Sequence, residues 1–189
     1  MKFNTRGMIL AALFAALTAV GAFIKIPVGP VPITLQALFT ILAGIMLGSR
    51  VGAMSQLIYV LLGLIGLPIF ADGTGGLMHV ISPSFGYLIG FIVAAFIMGK
   101  IVEHTEKINF IRIFAICVLG IIIIYIIGIP YLYFILKNVL FKGITFGYAV
   151  KMGFLVFIPG DLLKAVIASV LAIKVIPILR KQGILQKEV

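Results

Sequence analysis

Acidic residues are nearly missing from this chain: five Asp and Glu in 189 positions, against fifteen Lys and Arg. A formal net charge of +10 could serve nucleic acid, but the basic residues form no dense tract. They stand singly at the ends of apolar runs, which is the pattern of a membrane protein, so no nucleic-acid partner is expected. Cysteine is used once, at Cys117, which excludes an internal disulfide. His79 and His104 flank different segments, and no Cys/His cluster has the spacing of metal ligands. There is no G-x-x-x-x-G-K-[ST], so the chain does not bind ATP through a P-loop. There is no G-x-S-x-G. His79, Ser82 and Ser84 lie close together, but without a paired base and orienter they make no hydrolase. Neither a ring of charges nor an inverted repeat points to an ion channel or a secondary transporter.

Apolar sequence is what remains. The chain is 63% hydrophobic with a mean hydropathy of +1.31, where soluble domains run at about 45–50% apolar. A spanning helix needs about 20 apolar residues. Six such runs are read: 7–26, 33–48, 51–70, 85–102, 111–136 and 159–179, the second and third separated only by Ser49 and Arg50. The expected fold is an all-α integral membrane protein, a six-transmembrane-helix bundle forming one domain over 1–189. The first run follows Lys2 and Arg6 as a signal peptide would, but its length and the five runs behind it favour a retained helix.

The connections are uneven. "PVGPVP" (27–32) cannot be helix. "ADGTGGLMHVISPS" (71–84) is glycine-rich and too apolar for a solvated linker; irregular backbone at membrane depth is tolerated where it is buried or lines a cavity. "LFKGITFGYAVKMGF" (140–154) reads as a short amphipathic helix at the interface. With six spans, Lys2, Arg6, Arg50, Lys100, Lys107, Arg112, Arg180, Lys181 and Lys187 fall on one side, and Lys25, Lys137, Lys142 and Lys151 on the other. That bias places both termini in the cytoplasm and all three irregular connections outside.

Two patterns bear on function. In "FIPGDLLK" (157–164), Pro159 is suited to open a helix, which would set Asp161 in a first turn whose free N–H groups favour a carboxylate. Lys164, three residues on, shares its face. The two either pair with each other or line a polar pocket under the glycine-rich loop. In the first run, Ala11, Ala15 and Ala19 recur every four residues, beside Ala12 and Ala16. Small residues at that spacing let another helix come close, within the bundle or from a partner.

The run from Pro30 to Phe91, taken with "FIPGDLLKAVIA" (157–168), resembles the BioY family, the biotin-binding S components of transporters of the energy-coupling factor type. The loop departs from the family's usual pattern at Ser82, Ser84 and Phe85 and keeps Pro83, Gly86 and Tyr87. The resemblance implies a six-helix membrane bundle that captures biotin outside the cell, without enzymatic activity or a cofactor. Its implied partners are a transmembrane coupling subunit and paired ATPases, with Ala11, Ala15 and Ala19 as the docking contact. The implied substrate-binding residues are Asp161, Lys164, Tyr87, Gly75, Gly76, His79 and Ser82. In this reading Asp161 accepts from the ureido N–H groups and Lys164 meets the carboxylate. Because extended biotin is longer than one helical turn, Lys164 must reach away from Asp161 or the tail must fold back. The alternatives are an S component for another vitamin, or an intramembrane enzyme working at the outer leaflet.

Overall fold

A computed structural model describes residues 5–183 and 185; Lys2 and Lys187, counted above towards the cytoplasmic side, lie outside the described residues. The first helix, α1 (Thr5–Phe23), stops short of Ile26 because the chain folds back on itself. Strand β1 (Lys25–Ile26) pairs antiparallel with β2 (Ile33–Thr34), Lys25 opposite Thr34, with the Pro/Gly segment as the turn between them. Helices α2 (Gln36–Leu47) and α3 (Ser49–Leu64) follow. They part at Gly48, whose φ of +83° suits glycine, rather than at Ser49 and Arg50, which belong to the first turn of α3. Helix α3 ends six residues before the apolar run does. Gly66 turns the backbone at φ +113°, and Pro68 offers no N–H to continue the helix.

Two short 3-10 turns, Ala71–Gly73 and Leu77–Ile81, shape the glycine-rich loop. Helix α4 (Phe85–His104) leads to α5 (Phe110–Phe134), which is capped by the Asn109 side chain accepting from Arg112 N at 2.9 Å and prolonged by a π-turn over Ile135–Val139. The 140–154 stretch is helical from Phe146 on, with Thr145 as its N-cap. There α6 (Phe146–Val150) and a π-turn (Lys151–Leu155) feed into α7 (Ile158–Lys181), so the segment is the lead-in to the last helix.

Among the described residues, four helical segments are long and apolar enough to cross a membrane: Thr5–Phe23, Phe85–His104, Phe110–Val139 and Phe146–Lys181. Helices α2 and α3 are apolar but run only about 18 and 24 Å at 1.5 Å per residue, short of a hydrocarbon core of about 30 Å. Of the six expected spans, four therefore meet the length requirement; of the other two, α2 is shortened at its start by strand β2 and α3 at its end by the turn at Gly66.

Helix α4 is central, packing against α2, α3 and α5, while α7 packs against α2 and α5. The approach is close where side chains vanish. A Cβ on Gly44 would lie 2.8 Å from the Ala95 carbonyl oxygen of α4, and one on Gly90 would lie 2.9 Å from Ile124 Cα of α5. Helix α1 lies against α2 and α3. Ala11 and Ala15 are only 1% and 4% exposed, and Ala19 is half-buried. Ala11 and Ala15 pack inside the chain, and the alanines exposed on α1 are Ala12 and Ala16.

At the end of the bundle holding the α2–α3 turn, buried Glu103 and half-buried Arg180 meet helix ends. Glu103 accepts from Ser49 N at 2.7 Å and from Ser49 Oγ at 2.9 and 3.0 Å, so it caps α3 from a neighbouring helix. Arg180 donates to the carbonyls of Val102 and Thr105 at 2.8 and 2.7 Å, closing the last turn of α4.

Candidate ligand-binding site

At the opposite end of the bundle, α7 begins where the sequence places it. Pro159 lies in the first turn, where a missing N–H costs nothing, and Asp161 follows in that turn. Both Asp161 and Lys164 are buried. Lys164 Nζ donates to Asp161 Oδ1 at 2.7 Å, and the Tyr125 hydroxyl of α5 donates to Oδ2. Each carboxylate oxygen thus holds one donor and keeps a further lone pair. The ammonium does not reach away from Asp161. The pair is one polar unit, an acceptor and a donor side by side.

That unit opens on a cavity. Its walls are apolar and aromatic, with Val31 and Pro32 from the hairpin turn, Phe70 from the loop, Leu88 and Phe91 from α4, and Ile121 and Ile124 from α5. Its polar lining is Thr34, Gln36, His79, Ser84, Tyr87, Tyr125, Asp161 and Lys164. An apolar chamber with a few convergent polar groups is the general form of a small-molecule site.

The walls are held in place by buried hydrogen bonds. Gln36 receives from Thr34 Oγ1 at 2.9 Å and donates from Nε2 to the Tyr59 hydroxyl at 2.6 Å, which in turn donates to Ile69 O at 3.1 Å. This chain fixes the root of the loop and sets Phe70 into the cavity wall. The Tyr87 ring lines the cavity while its hydroxyl is spent on Gly153 O at 2.9 Å. The His79 ring stacks on Phe70 at 4.3 Å and 24°, with Thr74 Oγ1 3.3 Å from Nδ1 and Ser84 Oγ 3.5 Å from Nε2. The Tyr131 hydroxyl donates to the Val80 carbonyl and ties the loop down to α5.

Of the seven residues expected at the site, Asp161, Lys164, Tyr87 and His79 line the cavity, and Gly75, Gly76 and Ser82 do not. The two glycines build the loop instead. Gly76 has φ +93° and donates its N–H to Gly63 O at 2.7 Å, while a Cβ on Gly75 would strike the Leu67 carbonyl. Ser82 shares a 2.9 Å hydrogen bond with Ser84, and Ser84 is the one that faces the chamber. Sequence reading missed Tyr125, Gln36 and Thr34. Gln36 carried a legible signal, an amide inside an apolar run. Tyr125 carried none, since nothing in an Ile-rich helix says which neighbour its hydroxyl will meet.

A buried ion pair facing an apolar chamber, within helices fit for a bilayer, defines a membrane-embedded small-molecule binding protein rather than a channel. The chain belongs to the BioY family, whose sequence profile matches residues 1–181. It is 42% identical over 177 residues to the probable biotin transporter BioY of Lysinibacillus sphaericus, covering 94% of this chain and 90% of that one. It is 40% identical over 169 residues to the biotin transporter BioY of Thermotoga maritima, covering 89% and 95%. Among solved structures it resembles the crystal structure of the S-component for biotin from an ECF-type ABC transporter, with a TM-score of 0.70, 28% identity and 96% of each chain covered.

Proposed function

We propose that this chain captures biotin as the S component of an energy-coupling factor transporter, in a six-span bundle of the cell membrane with both termini cytoplasmic. In that arrangement the short helices α2 and α3 cross as a pair beneath the loop that roofs the chamber. Members of the family are transporters, not enzymes. The observation that carries the reading is the Asp161–Lys164 unit on the chamber wall. A cyclic urea presents an N–H donor beside a carbonyl acceptor on one edge. A carboxylate oxygen beside an ammonium, 2.7 Å apart, is the complement of that edge. Asp161 takes the N–H, Lys164 gives to the carbonyl, and Tyr125 keeps the carboxylate turned towards both. The apolar walls take the thioether ring. His79 is the other basic side chain of the lining, so its end of the chamber, with Ser84, receives the carboxylate tail.

The coupling subunit and its paired ATPases dock, in this reading, on α1 through the exposed strip of Ala12 and Ala16. Calorimetric titration of the purified protein with biotin tests the ligand: tight one-to-one binding without turnover is expected, and preference for a different vitamin or release of a product would replace the proposal. A Lys164→Ala variant sharpens it. Biotin and its uncharged amide lose affinity by the same factor if Lys164 serves the ureido edge, and the amide is spared if Lys164 serves the carboxylate. His79→Ala should do the reverse and weaken the acid more than the amide.

A further inference from the structure

The loop that roofs the chamber is two-faced in the wrong sense for water. Residues 73–84 carry no Asp, Glu, Lys or Arg. In the 3-10 turn Leu77–Ile81, His79 and Val80 turn inward, His79 onto Phe70 and the Val80 carbonyl to Tyr131. The outward face is Leu77, Met78 and Ile81, and the first two are 74% and 75% exposed. Three residues per turn align Met78 with Ile81, so these side chains form one patch. Exposed apolar patches of this kind mark contact with protein or membrane.

The level of the loop decides between those partners. Tyr131 stands about 29 Å along α5 from Arg112 at 1.5 Å per residue, close to the thickness of a hydrocarbon core of about 30 Å. With Arg112 at one surface, the Tyr131 hydroxyl and the Val80 carbonyl it holds lie at the other boundary of the core, where tyrosines collect. Helix α7 agrees, since Asp161 and Lys181 are about 30 Å apart along its axis. The hydrogen bond from Gly76 N to Gly63 O seats the loop on the last turns of α3, beside Leu61 and Ile65, which are 50% and 76% exposed and face outward from the bundle. The patch therefore continues a lipid-facing surface at interfacial depth.

We infer that the outward face of the roof loop, Leu77, Met78 and Ile81, is immersed in the headgroup–acyl boundary of the bilayer, so that lipid contacts the roof from outside while Phe70 and His79 contact the chamber from within. This does not depend on what the chamber binds.

The chain contains no tryptophan, so one introduced residue reports alone. In Met78→Trp, reconstituted in phosphatidylcholine vesicles and shown to be folded by an unchanged far-ultraviolet circular dichroism spectrum and thermal transition, the emission should be blue-shifted. Most of it should be lost when the acyl chains are brominated near the headgroup, and little when aqueous iodide is added. Leu77→Trp, measured the same way, is the second reporter should the first variant fold poorly. Red-shifted emission quenched by iodide and indifferent to bromolipid would place the roof in water and overturn the inference. Protection from both quenchers would mean that protein covers the patch, and would overturn it too. Biotin binding can fail without affecting either quencher result, so the two proposals fall separately.

Discussion

Each end of the bundle sets an acid and a base among packed helices, and the two ends satisfy them in opposite ways. At the α2–α3 turn, Glu103 and Arg180 are each answered by a helix end: Ser49, through its N–H and its hydroxyl, takes the carboxylate, and the carbonyls closing α4 take the guanidinium. At the start of α7, Asp161 and Lys164 are answered by each other and by Tyr125, on the wall of a cavity. A charge held by helix ends is locked to the fold, because the donors cannot leave without unwinding a turn. A charge held by side chains beside a chamber can exchange partners with a ligand at little structural cost. Burial and charge alone do not mark a binding site; what the charge is bonded to, and whether space adjoins it, does.

The comparison is broken most directly by reversing the outcome at Asp161. Asp161→Asn keeps the shape and loses the charge, and biotin affinity should fall tenfold to a hundredfold, about 1.4–2.8 kcal/mol. A collapse of stability with affinity intact would make this end structural as well. Glu103→Ala is the mirror experiment. Losing an inter-helix cap should cost about 1–2 kcal/mol of stability, read as a lower melting temperature, while calorimetry shows biotin affinity unchanged. A large affinity loss there would mean the two ends are coupled.

Tyr125→Phe should have the smallest effect, a loss of about threefold to tenfold in affinity for one hydrogen bond to a charged group shared with Lys164. The useful reading is the cycle with Asp161→Asn. If Tyr125 acts by turning the carboxylate, the second substitution adds little to the first; two independent packing defects would add.

Much of the architecture was legible because membranes restrict the choice. Backbone in hydrocarbon must bond internally, so runs such as 85–102 and 111–136 are helices, and their observed bounds differ from the reading by at most two residues. The opening of α7 was equally plain, since Pro159 and Asp161 act through local rules of a helix start. Legibility failed where an outcome depended on contacts distant in sequence. The length of α3 was set by a glycine conformation rather than by hydropathy. Alanine spacing along α1 did not tell which stripe faces inward, because Ala11 and Ala12 are chemically alike and differ only in orientation.

By itself, then, the sequence determined that the chain lives in a bilayer, where its main helices lie, and that Asp161 and Lys164 share a face. These follow from hydropathy, helix period and the chemistry of single turns, all of which act over a few residues. Tertiary structure alone decided that Lys164 closes on Asp161, that Tyr125 from 36 positions away completes the unit, that Ser84 rather than Ser82 faces the chamber, and that Glu103 caps a helix it does not belong to. Each depends on a side chain satisfying its hydrogen bond with whatever the packing brings within 3 Å or so, and no local period encodes that.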